Sequence, residues 1–544
     1  MFHALFWLAA AQLPPLFTEA PFDLGRHHSG AAGKLHLIEM MGAGVGLFDA
    51  DGDGDLDLLV LDGAPLEPGV ATPPGAGARL YRNLLVEEGA LGFRDVTAES
   101  GIAARGYGFG LAAGDIDDDG DVDLFLANYG ADQLWRNLGG LRFEEITAAA
   151  GVSDPRWSSS ATFFDYDRDG RLDLYVANYV DFDPAKAPPC YAASSRRDYC
   201  GPSSFQAAAN GLYRNLGEGR FENASLPSGI AGVKHPSLGV AAFDFDRDGL
   251  ADLYVANDGE PNELWRGDGK GRFENLALEA GAAINADGQP EAGMGVAVAD
   301  FDEDGDEDLF LTHLLREKNT LYVNLGDGTF ADRSAVLGLA APSLPFTSFG
   351  TVFLDLDRDG WLDLVTVSGG VKLIDELLAQ GDKVALGQRK QLFRNQGGKK
   401  FEDWSGRGGD AFARLEVSRG LAAGDVDNDG DTDLLVGNNG GTPRLLLATG
   451  PPAPWLGLRL MTGKRDAYLA KAELKRKNAP TLHRTVRTDG SYGATSDPRL
   501  LFGLGGGSEL EQLLVHWPDG RQETFAPPPL GTYTTLRQGG GTKR

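Results

Sequence analysis

One nine-residue acidic pattern recurs seven times along the 544-residue chain and constrains its fold more than any other feature. The pattern is D-x-D-x-D-G-x-x-D, with carboxylates at positions 1, 3, 5 and 9 and a glycine at position 6. Calcium takes about six to eight oxygen ligands, and a short loop can supply them when acidic residues alternate. We therefore expect up to seven Ca²⁺ ions. The predicted metal ligands are Asp49, Asp51, Asp53 and Asp57; Asp115, Asp117, Asp119 and Asp123; Asp165, Asp167, Asp169 and Asp173; Asp244, Asp246, Asp248 and Asp252; Asp300, Asp302, Asp304 and Asp308; Asp355, Asp357, Asp359 and Asp363; and Asp425, Asp427, Asp429 and Asp433.

The glycine and the flanking residues separate this pattern from an EF-hand. The glycine lets the backbone turn sharply, so that residue 7 can offer its carbonyl and residue 9 can return to the same ion. Position 7 varies among aspartate, arginine, leucine and tryptophan, as expected if only its backbone oxygen is used. An EF-hand has a glutamate at its twelfth position and helices on both sides. Each pattern here runs instead into an apolar strand, such as Leu124–Asn128.

Each acidic pattern belongs to a longer unit of four short strands. In the second unit, Tyr107–Gly114 enters the pattern, and Asp123–Asn128, Gln133–Asn137 and Arg142–Thr147 follow it. Four strands joined by tight turns make up one propeller blade. Seven such units predict an all-β fold with a seven-bladed β-propeller over residues 12–450.

The seventh unit lacks its last strand in the chain order. Six units end in a strand with phenylalanine followed closely by an acidic residue, but after Arg444–Leu447 the chain enters the proline-rich segment 450–454. The stretch Leu16–Ala20 could supply the missing strand, because a ring left open would expose unpaired edges. Deletion of residues 12–24 is then expected to lower the melting temperature sharply.

The net charge of −29 follows largely from the repeats. The seven patterns contribute 28 aspartates, and the 76 glycines suit a chain with many tight turns. Such an acidic surface argues against nucleic acid as a partner. Beyond the amino-terminal segment, no stretch reaches the roughly 20 apolar residues that a membrane span needs.

Residues 455–540 have a different charge balance and are predicted to form a small β domain. Residues 455–544 carry 14 Lys/Arg against 8 Asp/Glu. The basic cluster of Lys471 and Lys475–Lys477 is expected to be a solvated face, with an acidic ligand or the propeller as the alternative contact. The predicted strands are Trp455–Leu460, Leu482–Arg487, Leu513–Trp517 and Tyr533–Arg537.

Residues 1–11 are apolar and end in small residues, which is typical of a secretory signal. The basic residue expected near the start of a signal is missing, and a buried first strand is the alternative. A signal would place the protein outside the cell, in the periplasm or at the cell surface.

The two cysteines, Cys190 and Cys200, close a short insertion, and in a secreted chain they predict a disulfide, with free thiols as the alternative.

Taken together, these motifs resemble known repeats. The acidic units resemble the FG-GAP/VCBS propeller repeats, which also occur in integrin α-subunit heads. The segments Asp489–Tyr492, Asp497–Gly505 and Val515–Arg521 resemble the ASPIC/UnbV domain. The insertion ending in Tyr199–Pro202 resembles one found in the same group.

The resemblance to the cartilage acidic protein-like family extends over about residues 35 to 535. It implies a secreted, calcium-loaded, seven-bladed propeller that is used for binding and has no established catalytic activity. Thr462–Tyr468 departs from the family's pattern because it lacks a turn of the Gly-Ile-Gly-Ala type. The resemblance therefore does not predict the first hairpin of the last domain.

Two classes of function are compatible with the sequence. The first is a binding or adhesion module for an extracellular protein or glycan, with structural calcium ions; a scaffold for another secreted protein differs only in its partner. The second is a calcium-dependent enzyme acting on carbohydrate or phosphate. We prefer the first, because the chain has neither G-x-S-x-G nor H-E-x-x-H and its paired carboxylates are taken up by the repeats.

The insertion at residues 180–211 is the predicted recognition loop, with a surface decoration as the alternative.

The histidines give little support to catalysis. His27 and His28 are expected in an amino-terminal tail, His235 and His313 in structural or surface positions, and His516 in a packed strand.

Overall fold

The computed structural model consists mostly of β-strands, turns and loops, which confirms the predicted all-β class. The predicted signal at residues 1–11 lies outside the described residues. Those are residues 14–31, 33–66, 77–192, 194–373, 378, 379, 381, 385–507 and 509–544. The short α-helical turns are Leu85–Glu88, Thr97–Ser100, Thr147–Ala150, Ala340–Ser343 and Asp410–Ala413. The short 3-10 turns are Leu37–Met40, Pro202–Ser204, Ile230–Gly232 and Ser405–Arg407.

In the described part of the chain, seven blades, each with four antiparallel strands, follow one another. Blade 1 contains Val45–Phe48, Asp57–Leu61, Ala78–Asn83 and Phe93–Asp95. Blade 2 contains Tyr107–Gly114, Asp123–Tyr129, Gln133–Asn137 and Phe143–Glu145. Blade 3 contains Ser158–Phe164, Asp173–Asn178, Gly211–Gly217 and Arg220–Asn223. Blade 4 contains Ser237–Phe243, Asp252–Asn257, Glu263–Gly267 and Phe273–Asn275.

The remaining three blades complete a ring. Blade 5 contains Val296–Ala299, Asp308–Leu311, Thr320–Asn324 and Phe330–Asp332. Blade 6 contains Ser348–Leu354, Asp363–Ser368, Gln391–Asn395 and Phe401–Asp403. Blade 7 contains Ser418–Gly424, Asp433–Asn438, Arg444–Ala448 and, from the amino-terminal end, Phe17–Glu19. The first strand of each blade contacts the first strand of the next, and blade 7 contacts blade 1, which is the arrangement of a seven-bladed propeller.

The inner strands pack closely because their residues are small. All eight residues of Tyr107–Gly114 are buried. A Cβ added at Gly110 would lie 2.5 Å from the carbonyl oxygen of Ser159 in the next blade. Only a residue without a side chain fits where two backbones come this close. The glycine-rich inner strands thus set how closely neighbouring blades approach near the axis.

The amino-terminal strand closes the ring as predicted. Phe17 pairs with Ala448 and Glu19 with Leu446 in an antiparallel register. Phe17 is buried and its ring stacks on Phe412 with centroids 5.2 Å apart. Burying a phenylalanine side chain contributes about 1.5–3 kcal/mol, so this strand adds packing as well as backbone hydrogen bonds.

Residues 455–543, called the cap from here on, form two further sheets. The first contains Trp455–Thr462, Arg465–Asp466, Leu500–Gly503 and Tyr533–Arg537. The second contains Lys471–Arg476, Leu482–Thr485, Leu510–His516, Gln522–Phe525 and Thr542–Lys543. Each predicted strand of this region overlaps an observed one, and the departing segment Thr462–Tyr468 does form a hairpin, with Thr462 paired to Arg465.

One cap segment enters the ring axis. Ala494–Thr495 forms a fifth, parallel strand on blade 1 by pairing with Val45–Gly46. Nearby, the fully buried Arg419 lies 3.9 Å from the ring centroid of Phe349 and donates a 2.7 Å hydrogen bond to the carbonyl oxygen of Met40. The axis is therefore occupied by side chains of the propeller and the cap.

The cysteine-containing insertion of blade 3 folds on the opposite face from the acidic loops. Cys190 and Cys200 form the predicted disulfide, with an S–S distance of 2.08 Å. Val180–Asp181 pairs with Gln206–Ala207 at the base of the insertion. Phe182 packs against Trp157 with ring centroids 5.7 Å apart, so the base is anchored over the aromatic cluster at the axis.

Candidate metal centres on one face of the ring

The seven acidic patterns form the loops between the first and second strands of the blades. Because each first strand runs into its loop, all seven loops lie on the same face of the ring. We number the loops by blade. Loops 1 to 7 are Asp49–Asp57, Asp115–Asp123, Asp165–Asp173, Asp244–Asp252, Asp300–Asp308, Asp355–Asp363 and Asp425–Asp433.

The loop backbone depends on two left-handed positions. The position-6 glycines have φ between +80° and +102°, a region that favours glycine, so the predicted sharp turn is present. Position 4 is also left-handed, which the sequence did not reveal. Six loops have a residue other than glycine there, with φ of +55° to +60°, for example Arg358 in loop 6. Loop 1 has Gly52 at this position, with φ of +77°.

The position-1 aspartate holds the loop in its curled form. In loop 6, Asp355 accepts hydrogen bonds from the backbone N–H groups of Asp359 at 3.0 Å and Gly360 at 2.9 Å. Loops 2, 3, 5 and 7 contain the same pair of bonds. This carboxylate therefore faces the inside of the loop together with positions 3 and 5.

The position-9 aspartate ties its loop to the third strand of the blade. In loop 6, Asp363 accepts hydrogen bonds from the N–H groups of Leu356 at 3.1 Å and Asn395 at 2.7 Å. Equivalent bonds occur in the other six loops. Position 9 thus has a structural role that the ligand pattern alone did not predict. It still lies near the other acids: carboxylate oxygens of Asp115, Asp117 and Asp123 are all within 4.8 Å of one another.

The position-3 aspartates contain unsatisfied buried oxygens. The Oδ1 atom of this residue is buried and, within the described part of the chain, accepts no hydrogen bond in five loops. These residues are Asp51, Asp117, Asp302, Asp357 and Asp427. The side chain of Asp51 is only 5% exposed. An unpaired buried carboxylate oxygen is costly, and oxygen donors of this kind are the ligands of a hard cation such as Ca²⁺.

Burial and crowding make these carboxylates resist ionisation. Burial, with repulsion from Asp304 and Asp300, raises the pKa of Asp302 to about 7. Burial also raises the pKa of Asp355 to about 7 and that of Asp173 to about 8. A cation between the oxygens would remove this penalty. The donor type, the unsatisfied oxygens and the charge therefore all fit Ca²⁺.

A side-chain amide links each of five blades to the blade before it. Asn395, which ends the third strand of blade 6, donates from Nδ2 to the carbonyl oxygens of Phe301 at 2.8 Å and Leu362 at 3.0 Å. Phe301 is position 2 of loop 5, so the amide joins two adjacent loops. Asn83, Asn137, Asn215 and Asn324 make equivalent bonds. Blades 4 and 7 have Gly267 and Ala448 at this position.

The cap docks on the loop face and reaches several position-1 carboxylates. Arg459 lies 3.2 Å from Asp49. His483 lies 3.0 Å from Asp300. The hydroxyl of Tyr533 donates a 3.0 Å hydrogen bond to Asp425. The basic cap thus lies against the most acidic face of the propeller.

We predicted a solvated face at Lys471 and Lys475–Lys477. This prediction is wrong for Lys471, because the cap docks on the propeller there. Lys471 points at the propeller, with its Nζ 3.3 Å from Glu307 and 3.9 Å from Asp244. Arg476 is also buried, whereas Lys477 is exposed and pairs with Glu509. The alternative prediction, a contact with the propeller, is confirmed for Lys471.

A cavity of about 910 Å³ lies within this docking interface. Asp244, Glu307, Lys471, Arg487 and Asp489 are among the residues that line it. Several of these charges pair with one another, for example Arg487 with Glu307 at 2.6 Å. The cavity has both polar and apolar walls, and ion pairs between the cap and the loops lie along it.

The histidines lie mostly in structural positions. His27 is buried, and its Nδ1 accepts a hydrogen bond from the N–H of Gly440 at 3.1 Å, so the expectation of a tail was wrong. His28 also contacts the ring, because its N–H donates to Asp62. His313 is buried, whereas the partly exposed His516 lies 2.6 Å from Glu473. Long-range contacts of this kind have no local sequence signal.

Comparisons with known families agree with the repeats and the cap. The family model described as FG-GAP-like repeat matches residues 115–176, 244–311 and 311–366, and the FG-GAP repeat model matches residues 419–450. The model described as ASPIC and UnbV matches residues 461–543. The chain is an FG-GAP repeat protein with a carboxyl-terminal ASPIC/UnbV domain. The matched FG-GAP segments contain loops 2 to 7.

Curated relatives of this FG-GAP repeat protein include cartilage acidic protein 1. The protein from Xenopus tropicalis is 27% identical over 177 residues, covering 29% of this chain and 25% of the relative. The Homo sapiens protein is 28% identical over 170 residues, covering 29% and 24%. The alignments therefore span about a quarter of these relatives.

The solved structures that align with this chain include BBS1N in its complex with ARL6DN. The alignment has a TM-score of 0.42 and 9% identity, and it covers 80% of this chain and 98% of that one. A lectin from Agrocybe aegerita has a TM-score of 0.39, 16% identity, and coverage of 66% of this chain and 79% of the lectin.

Among the described residues of the FG-GAP repeat protein, no helix has the length and apolarity needed to span a membrane.

Proposed function

We propose that this protein is a secreted, calcium-binding propeller that acts as a binding module for an extracellular protein or glycan. The predicted division into a signal at residues 1–11, a propeller at 12–450 and a cap domain at 455–540 is part of this proposal. The side chains at positions 1, 3, 5 and 9 and the carbonyl of position 7 would hold one ion in each loop. The buried, unpaired Oδ1 atoms at position 3 carry the proposal.

Calcium binding would couple directly to the stability of the ring. An ion that binds only the folded loop stabilises the folded state, by about 2.7 kcal/mol at a free concentration of 100 times its Kd. The loops are linked to the blade strands through position 9 and to neighbouring blades through the asparagine amides. Loss of several ions should therefore weaken both the blades and their contacts.

Thermal unfolding with and without calcium tests this proposal. The melting temperature of the full chain is expected to fall by at least about 10 °C when millimolar Ca²⁺ is replaced by a chelator. Asp302→Asn should reduce the number of bound ions by one, whereas Asp287→Asn, at an exposed turn outside the loops, should not. A melting temperature that is the same in calcium and in chelator would contradict the proposal.

The partner is expected on the face opposite the cap. The second strand of blade 3 starts at loop 3 and ends at Asn178, so the insertion that follows lies on the other face. Its disulfide fixes a short hairpin in which Tyr191 is 62% exposed and Arg197 packs over the tyrosine ring. An exposed aromatic residue on a covalently fixed hairpin is well suited to recognition.

A binding screen tests this part of the proposal. Immobilised glycans and secreted proteins would be probed with the full chain in calcium and in chelator. Binding should require calcium and should weaken at least about tenfold in Tyr191→Ala, because an aromatic anchor contributes more than about 1.4 kcal/mol. Leu226→Ala, at an exposed site outside the insertion, is the matched control. Catalytic turnover of any screened compound would contradict the assignment as a binding module.

A further inference from the structure

One position on the third strand faces the acidic loop of its own blade. It precedes the residue whose N–H binds the position-9 aspartate. In blades 1, 2, 3, 4 and 6 this position is an arginine, and in blades 5 and 7 it is apolar. The residues are Arg82, Arg136, Arg214, Arg266, Val323, Arg394 and Leu447.

Four of the five arginines contact the carboxylates proposed to hold calcium. Arg394 lies 2.6 Å from Asp357 and 2.8 Å from Asp359, which are positions 3 and 5 of loop 6. The same two positions are contacted by Arg82 at 2.6 and 3.5 Å, by Arg214 at 2.5 and 3.2 Å, and by Arg266 at 2.8 and 3.3 Å. Arg136, at the same position of blade 2, lies 2.8 Å from Glu144 instead.

Loops 5 and 7 lack this guanidinium. The Oδ1 atoms of Asp302 and Asp427 are buried and, among the described residues, accept no hydrogen bond, as is also true of the position-3 Oδ1 in loops 1, 2 and 6. Loop 7 is contacted by Arg358 from outside its blade, which lies 2.6 Å from Asp431 at position 7 and 3.6 Å from Asp429 at position 5. Near loop 5, His483 contacts position 1 and Arg484 contacts position 4. Arg247 contacts position 7 and Arg487 contacts position 8, so these four residues pair with positions other than 3 and 5.

A fixed guanidinium on two ligand carboxylates opposes a divalent ion at the same carboxylates. The two cations repel each other, and part of the negative charge is already neutralised before the ion arrives. A unit charge near a divalent ion costs enough, even at the dielectric constant of water, to weaken binding about tenfold at close range. An apolar residue at the same position has no such effect.

We propose that this position divides the seven loops into two affinity classes, with loops 5 and 7 binding Ca²⁺ more tightly than the five arginine-bearing loops. The inference rests on the proposed calcium binding. At intermediate calcium the propeller would hold two ions, in blades 5 and 7, and the other five loops would fill only at higher concentration. The protein could then respond to calcium in two steps.

Calorimetric titration of the chelator-treated full chain with CaCl₂ tests this division. Wild-type protein should bind two ions at least about tenfold more tightly than the rest. Arg394→Leu, which copies blade 7, should increase the tight class to three ions. Val323→Arg, which copies blade 6, should reduce it to one ion. Leu447→Arg provides a second test of the same kind if Val323→Arg does not fold.

The control is Arg220→Leu, which removes an exposed arginine of blade 3 that pairs with Glu218 outside the loops. It should leave both classes unchanged. Seven equivalent sites, or a tight class that does not change in Arg394→Leu and Leu447→Arg, would overturn the inference while leaving calcium binding intact. Absence of any calcium binding would overturn the proposed function as well. A steeper decrease of loop 6 affinity with added salt in Arg394→Leu would further support the electrostatic cause, because the loop is then more negative and its attraction for Ca²⁺ is screened more strongly.

Discussion

Tyr492 of the cap donates a 2.9 Å hydrogen bond to the carbonyl oxygen of Met41 of the propeller. Its ring packs edge-on against Phe349 of blade 6, with centroids 4.9 Å apart. The cap arrives from the loop face, whereas Met41 precedes the first strand of blade 1 and so lies towards the other face. This tyrosine therefore joins the cap to the centre of the ring.

Replacement of Tyr492 should uncouple the cap from the ring. Tyr492→Ala removes a buried aromatic ring and should destabilise the protein by about 3–5 kcal/mol. Tyr492→Phe keeps the ring but leaves the Met41 carbonyl unpaired, so a loss of only about 1–2 kcal/mol is expected. Denaturant unfolding of both variants measures the difference. The exposed Tyr191→Phe should have no effect, and equal losses in the two Tyr492 variants would contradict the role of packing.

The amino-terminal strand should be essential for ring closure. Phe17→Ala removes a buried ring that stacks on Phe412 and should cost about 3–5 kcal/mol. Deletion of residues 12–24 should have a larger effect, because it also exposes the edge of Arg444–Ala448. Thermal unfolding measures both. Thr18→Ala, at an exposed position on the same strand, should melt like the wild type. A deletion variant with an unchanged melt would show that the strand is dispensable.

Local sequence patterns were sufficient to predict the fold and the loops. The acidic pattern fixes the position-6 glycine turn, and the apolar run after it fixes a buried strand. The closing strand at Phe17–Glu19 was also predictable, because the seventh unit visibly lacks one. All of these features depend on neighbours within one repeat or on a count of repeats.

Contacts between distant segments were not predictable in the same way. Nothing near Lys471 indicates that it faces Glu307, which lies 164 positions earlier, and nothing near His27 indicates burial beside Gly440. The left-handed position 4 is occupied by Arg, Asp, Glu or Asn as well as by glycine, so the residue type there does not indicate its backbone conformation. The arginine before the asparagine was visible in the sequence, but its contact with positions 3 and 5 requires the strand register.

The asparagine amide should contribute measurably to contacts between blades. Asn395→Ala leaves the buried carbonyl oxygens of Phe301 and Leu362 without their donor, so a loss of about 2–4 kcal/mol is expected. Denaturant unfolding at saturating calcium measures the loss. Ala448→Asn, at the equivalent position of blade 7, tests whether the amide can be introduced where it is absent. A loss below about 0.5 kcal/mol in Asn395→Ala would contradict the proposed link.

Two buried histidines should make the ring sensitive to acid. Burial, helped by the charge of Lys318, lowers the pKa of His313 to about 3, and burial with Arg79 lowers that of His27 to about 3. The unfolded chain binds a proton at a pKa of about 6.5, whereas the folded chain does not until the pH is much lower. Their contribution to stability is therefore complete above about pH 6.5 and is lost as the pH falls towards 3. At pH 5 the loss is about 2 kcal/mol for each histidine.

Comparison of pH profiles isolates this effect from the titration of the carboxylates. Between pH 7.5 and 5.0, His313→Gln should lose about 2 kcal/mol less stability than the wild type, because glutamine takes up no proton in the unfolded chain. His235 provides a control of opposite sign, since its hydrogen bond to Glu263 at 3.0 Å raises its pKa. Wild-type protein gains stability at His235 on acidification, so His235→Gln should lose more than the wild type over the same range. Denaturant unfolding in saturating calcium gives both differences, and identical slopes in the two variants would contradict the assignment of His313 as a buried, neutral residue.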